Sequence, residues 1–324
     1  MNLETPLFAY QFFDRQLISE IELTLLQRLP GDTITSDTAI RLSIDMSPYS
    51  LSGEALPEAK GQPTSIFYDG VRSIFVINEV DFVAIVSPDG LRIELRPRAG
   101  GEKAREALES TTLGDRLVTT VLSRIPILWG TPSIHGATLS WPQGSILLLG
   151  QSGVGKSTLS QHLIATHGAV LHDDDTSMVT LHGEELFPIP MGGAPRLRRD
   201  VANNLNLEGR FLPGYSGGKV ALHRETPASN ASPPPLVAVF EIVALEADAY
   251  FGAAPTPEQE LLEPVLSIPM LWNHIFSTNL DREQKASRFM RAHLMSKIPA
   301  RRITYVRGAH EPASVASMIA ESLG

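Results

Sequence analysis

Three consecutive carboxylates, Asp173-Asp174-Asp175, follow a lysine and two hydroxyls, Lys156-Ser157-Thr158, after one short helical stretch and one short apolar stretch. These residue types suit phosphoryl transfer, which asks for acids to hold Mg2+ or accept a proton and a cation to offset phosphate charge. The lysine belongs to Gly150-Gln151-Ser152-Gly153-Val154-Gly155-Lys156-Ser157-Thr158, which fits G-x-x-x-x-G-K-[ST], the glycine-rich loop whose backbone N–H groups cradle phosphates. In that pattern the lysine reaches the β- and γ-phosphates and the Ser157 hydroxyl joins the shell of a divalent cation, so ATP and Mg2+ are the expected cofactors. The bland alternative is an ordinary glycine turn.

The flanks decide between the two. Apolar Ile146 to Leu149 predicts a short buried strand before the loop, and Lys156 to about Thr166 predicts a helix after it. The strand Ala169 to Leu171 then ends in the aspartates, close to where the phosphates would lie. A carboxylate there could accept the proton of an incoming hydroxyl, and three acids in a row could equally serve only the shell of Mg2+.

Other candidates surround this unit. Ile134 to Trp141 reads as a strand that sets His135 beside the loop, with a satisfied core histidine as the alternative. Arg196, Arg198 and Arg199 follow a Pro/Gly-rich stretch, Pro188 to Pro195, read as a loop; their guanidinium groups suit bidentate capture of phosphate or carboxylate, although a solvated charge run is the commoner explanation.

Over Ile134 to Val179 the chain resembles the HPr kinase/phosphorylase-like P-loop proteins, a group that shares its fold with phosphoenolpyruvate carboxykinase. The resemblance rests on His135-Gly136, the loop Gly150 to Ser157, and Leu171-His172-Asp173-Asp174-Asp175. It is greatest to the divergent members related to lasso-peptide kinases. The resemblance implies an α/β fold, a P-loop HPr-kinase/carboxykinase-like mixed sheet with flanking helices. It also implies a site role for His135, with Asp174, Asp175 and Lys156 as catalytic residues: matching the family's Asp-Asp to the last two aspartates makes Asp174 the base and Asp175, with Ser157, the partner of Mg2+, and a register error of one would exchange those roles. Lys219 matches a basic residue that often precedes the last strands, which makes it a candidate phosphate or substrate contact, with a flexible loop lysine as the competing view. The implied activity is Mg-ATP-dependent phosphorylation of a Ser/Thr hydroxyl on a protein or peptide. Departures are plain: no Glu-x-Arg-Gly follows the aspartates, which puts HPr and the reverse phosphorylase reaction in doubt. The chain is also short for a carboxykinase and lacks its Lys/His pair ahead of the loop. A small-molecule kinase or nucleoside triphosphatase, and a non-catalytic ATP-binding regulatory module, are the competing functions.

The rest of the chain must position these groups. Its 324 residues favour more than one domain. Residues 1–100 alternate apolar and polar in short runs with Gly and Asp-Gly breaks, predicting a smaller β-rich N-terminal domain of antiparallel strands with a hairpin at Pro88-Asp89-Gly90. Asp45, Glu79 and Asp81 read there as solvated acids, and Ile21 to Leu29 fits helix or strand equally. Residues 101–130 read as a helical bridge, with a helix over Glu102 to Ile127, and 131–324 as the kinase domain. Pro257 to Phe276 and Asp281 to Lys297 predict amphipathic helices, and Arg302 to Val306 a last strand before a helix over Pro312 to Leu323.

A net charge of −9 argues against nucleic acid as a partner. No apolar run is long enough to span a bilayer, so no membrane is expected. The absence of cysteine removes disulfides and thiolate chemistry, and a cytoplasmic location follows by exclusion. A homo-oligomer is compatible with the sequence and not readable from it.

Overall fold

The computed structural model describes residues 7–26, 28–29, 39–49, 64–68, 73–77, 81–98, 102–204, 208–212, 218–222, 233–246, 256–276 and 282–323. Glu79, read above as a solvated acid, lies outside them. The chain forms two compact units, Met1–Pro132 with Ser277–Lys285, and Ser133–Phe276 with Ala286–Gly324.

The first unit is built on a seven-stranded sheet of β1 (Phe8–Phe12), β2 (Arg15–Ser19), β3 (Ile40–Ile44), β4 (Thr64–Tyr68), β5 (Ser73–Ile77), β6 (Phe82–Val86) and β7 (Arg92–Pro97), in the order β1-β2-β3-β7-β6-β5-β4. The alternating pattern of β7 buries Ile93, Leu95 and Pro97 and leaves Arg92 exposed. Ser87 to Gly90 makes the expected hairpin, with the Gly90 N–H donating to the Ser87 carbonyl. Not all pairing is antiparallel, however: β2–β3 and β3–β7 run parallel. A parallel neighbour needs a long crossover, and the chain between Ser19 and Ile40 supplies one. The described residues of Ile21 to Leu29 form turns and an isolated bridge between Tyr10 and Arg28, neither helix nor strand.

The single helix expected over Glu102 to Ile127 is broken into α1 (Glu102–Glu109), α2 (Thr111–Arg116), a π turn at Leu117–Val121 and a 3-10 segment at Leu122–Trp129. Ser110 separates α1 from α2, its hydroxyl donating to the Ala107 carbonyl. Pro126, which lacks an N–H, lies within the tightened 3-10 segment. Leu113, Leu117, Val118, Val121 and Leu122 are all buried, while Leu108 is half-buried.

The second unit, a mixed α/β fold, opens with β8 (Ile134–His135), β9 (Ala137–Trp141), β10 (Gly144–Leu149), α3 (Lys156–His167), β11 (Val170–Asp173) and β12 (Thr176–His182). There follow β13 (Glu185–Pro190), β14 (Arg196–Arg198), α4 (Arg199–Asn204), β15 (Gly209–Leu212), β16 (Lys219–Leu222), β17 (Leu236–Leu245) and β18 (Glu258–Leu262). The last elements are α5 (Pro264–His274), α6 (Arg282–Met295), β19 (Ala300–Val306) and α7 (Pro312–Glu321). Its six-stranded sheet runs β11-β9-β10-β17-β19-β18. β10, β17 and β19 are mutually parallel, so their carboxyl ends share one edge, where ligands of open α/β sheets bind.

β10 is apolar throughout because both faces are covered. Ile146 and Leu148 pack with Leu159 and Leu163 of α3 and Val315 and Ile319 of α7. Leu147 and Leu149 pack with Met270 and Leu271 of α5 and Met295 of α6.

Three expectations for this unit are corrected. Ile134 to Trp141 is two strands, because the chain bends at Gly136 to pass β10 so closely that a Cβ there would meet the Leu148 carbonyl at 2.8 Å. β8 thereby leaves β9 and pairs with β12. The Pro188 to Pro195 stretch is strand as far as Pro190, tolerated because β13 is the edge of the three-stranded sheet β13-β12-β8. Pro257 to Phe276 is not one helix: Glu258–Leu262 pairs with β19, and Pro264 then starts α5 at a position where its missing N–H is harmless. No described helix is long and apolar enough to cross a membrane.

Candidate active site

The loop between β10 and α3 lies at the sheet's carboxyl edge. Its carbonyls are tied from several sides. Lys156 Nζ donates to the carbonyls of Gly150 (2.7 Å) and Gln151 (3.1 Å). From the end of β19, the Tyr305 hydroxyl donates to the Val154 carbonyl at 2.6 Å, and Arg307 Nη2 donates to the Gly153 carbonyl at 2.9 Å. In a planar trans peptide the N–H points opposite the carbonyl, so pinning the Val154 carbonyl also aims the Gly155 N–H. Gly155 itself has φ 98° and a Cβ there would meet Tyr305 Oη at 2.8 Å, so no other residue fits.

The loop lines a cavity of about 370 Å³, within the range of small-ligand sites. Ser152, Gly153, Gly155, Lys156, Ser157 and Thr158 border it, whereas Gly150, Gln151 and Val154 serve the loop from behind. Opposite stand His135, Asp174 and Asp175, with Arg196, Arg198 and Lys219 along the wall, so of the sequence-predicted catalytic and phosphate-candidate side chains all but Arg199 border this space.

The three aspartates divide their work. Asp173 Oδ1 accepts the N–H groups of Asp175 (2.9 Å) and Thr176 (3.0 Å), and Oδ2 those of Gly192 (3.0 Å) and Gly193 (3.1 Å). It is the buried brace of the β11–β12 turn. Asp174 Oδ2 accepts the Ser157 hydroxyl at 3.2 Å and the Arg196 N–H at 3.0 Å. Asp175 faces the Arg196 guanidinium (Nη2 to Oδ2, 2.5 Å) and His135 Nδ1 (3.5 Å to Oδ1). The sequence expectation paired Ser157 with Asp175; the carboxylate beside that hydroxyl is Asp174. Hard oxygens of one hydroxyl and one carboxylate fit Mg2+, which takes one or two protein ligands and completes its shell with phosphate and water.

Electrostatics separate the two acids. Burial raises the Asp174 carboxyl, and Arg196 only partly opposes it. Burial also works to raise Asp175, but Arg196, His135 and Lys219 together outweigh it and hold that carboxyl far below the usual range. His135 is pushed down by burial against the pull of Asp175, and is neutral near pH 7. Its Nδ1 donates to the Asp175 carbonyl at 3.1 Å, leaving Nε2 to accept from Lys156 Nζ at 3.4 Å. Burial lowers Lys156 too, while Asp175 and Asp174 support its charge.

The arginines differ. Arg196 is buried against the acids, whereas Arg198 is exposed and fork-bonded to Asp200 at 3.1 and 2.9 Å. The backbone of Arg199 receives its place from Gly218, to whose carbonyl its N–H donates, and Arg199 does not border the cavity. Lys219 is lowered by burial and by Arg196. Sequence reasoning missed Tyr305, Arg307, His310 and Glu311, all cavity residues at or after the end of β19. The signal was there: Arg302 to Val306 was read as a strand, and parallel strands deliver their following loops to the site edge. Removing the Tyr305 hydroxyl alone, with Tyr305→Phe, is expected to weaken ATP binding about five-fold, the worth of one hydrogen bond, at nearly unchanged melting temperature. Calorimetric titration and a thermal melt check both halves.

No protein-family model matches this chain, and no curated protein matches it. Among solved structures it is similar to the Hpr(Ser) kinase/phosphatase from Coxiella burnetii, at 12% identity and a TM-score of 0.31, over 59% of this chain and 95% of that one. A likeness at that score lends no weight to an activity, and the functional assignment rests on the cavity.

Proposed function

We propose that the chain is a Mg-ATP-dependent kinase that phosphorylates a Ser or Thr hydroxyl of a protein or peptide. The observation that carries this reading is the convergence on one cavity of the glycine loop with Lys156, the Ser157–Asp174 oxygen pair and a second carboxylate on Asp175. Mg-ATP, when bound, supplies the phosphoryl group and a leaving group whose charge is already partly neutralised. Loop N–H groups and Lys156 hold the phosphate oxygens, and Ser157 with Asp174 hold the cation.

Asp175 takes the role of base that the family resemblance implied for Asp174. Its side chain is 21% exposed, whereas Asp174 is 5% exposed and already holds two donors on one oxygen. A depressed pKa makes Asp175 a weak base, yet a loose transition state asks for an aligned acceptor of the proton more than a strong one. His135, donating to the Asp175 backbone, fixes that alignment.

Incubation with γ-labelled ATP, Mg2+ and a panel of Ser/Thr peptides tests the proposal. Label is expected on Ser or Thr and to vanish when Mg2+ is chelated. Asp174→Asn should raise the Mg2+ concentration required, and Asp175→Asn should lower kcat without moving it. ATP that binds tightly while no phosphate leaves it for any hydroxyl would sink the proposal.

A further inference from the structure

The cavity extends past the phosphate loop to a wall with no part in the chemistry above: Arg307, His310 and Glu311, between the carboxyl end of β19 and α7. Among the described residues four carboxylates border the cavity, and three are committed to protein partners. Asp174 holds Ser157 and the Arg196 N–H, Asp175 holds Arg196, and Asp200 holds Arg198. The Glu311 carboxylate has no hydrogen bond or ion pair among the described residues, and it does not cap α7 either. Arg307 is occupied differently, bridging the Gly153 carbonyl and Glu246 Oε1 at 2.9 Å each. The wall therefore presents to the cavity an unpaired anion beside a cation already spoken for.

Such a surface repels phosphate oxygens and suits hydroxyl donors, which a carboxylate accepts at short range. We infer that the β19–α7 wall is the nucleoside subsite, with Glu311 accepting the ribose hydroxyls. The inference rests on the kinase reading and adds an orientation to it. The ribose lies at the Glu311 end, the phosphates run along the glycine loop, and the terminal phosphorus points to Asp174 and Asp175. The same placement agrees with the parallel order β10-β17-β19, which brings the loop after β19 to the edge that carries the phosphate loop.

Calorimetric titration of the full chain in Mg2+ buffer tests it with three probes: ATP, 2′,3′-dideoxy-ATP and inorganic tripolyphosphate. Glu311 is exposed and uncapping, so Glu311→Ala leaves folding intact, as a thermal melt verifies. Expected is about ten-fold weaker ATP binding in the variant, with tripolyphosphate unchanged. Dideoxy-ATP should bind the wild type about ten-fold more weakly than ATP and the variant no more weakly than ATP does. Equal loss for ATP and tripolyphosphate, unchanged ATP affinity, or an undiminished dideoxy penalty in the variant would each overturn the subsite while leaving the kinase reading standing. A wild type that binds neither ATP nor tripolyphosphate overturns both.

Discussion

Lys156→Ala is expected to reduce phosphoryl transfer about a thousand-fold at saturating Mg-ATP, the loss typical when one preorganised charge is withdrawn from a transition state. The side chain is 7% exposed, and its ammonium group lies among the carbonyls of Gly150 and Gln151 and the Nε2 of His135. Truncation therefore removes a phosphate cation, frees two loop carbonyls and strips His135 of a donor. Stability should move little. Burial disfavours the lysine's charge, so its removal offsets part of the lost hydrogen bonding, and the melting temperature should shift by no more than a few degrees. Labelled-phosphate transfer by the variant, set beside its melt, separates the two effects. Transfer within ten-fold of wild type would show that the loop lysine does not serve the reaction.

The parts of this site that were legible from residues alone were local ones. A glycine loop between an apolar run and a helix is encoded within a few residues, as is the run of three acids at a strand end. What the chain order hides is which atoms meet. Ser157 meets Asp174 because α3 packs beside the β11–β12 turn, and that turn is set by Asp173 collecting four backbone N–H groups, two of them from Gly192 and Gly193 in a different segment. Nothing in the spacing of the three aspartates distinguishes the brace from the two that reach the cavity. The Pro257 to Phe276 error has a related cause: Glu258–Leu262 becomes a strand through pairing with β19, a partner distant in sequence, against its local periodicity. Gly136 divides what looks like one strand because of a neighbour's carbonyl. Tyr305 near the end of β19 looks like core until the sheet order is known, and only that order brings Arg307, just past the strand, to the phosphate loop.

Arg196→Leu is expected to cost about 3 kcal/mol at pH 7, the penalty for leaving a buried carboxylate without its partner. Arg196 is 6% exposed and pairs with Asp175, and it also opposes the rise of Asp174. In the wild type Asp175 has a folded pKa well below 3.8, so its contribution to stability is complete above the unfolded value and fades only as pH falls through the depressed folded value. In the variant burial is no longer outweighed, and the two adjacent carboxyls shift upward. A raised acid costs stability while it is ionised and nothing once both folded and unfolded forms are protonated. The gap between the two proteins should thus be widest near neutral pH and narrow as pH falls toward 3.8. Thermal melts across that range should show a difference of about 8 °C at pH 7 shrinking toward acid. The pH–activity profile should move with it, its acid limb displaced to higher pH because Asp175 must now lose a proton before it can accept one. A melting difference that stays constant with pH would mean that Arg196 packs rather than pairs, and the electrostatic account of both carboxylates would fall with it.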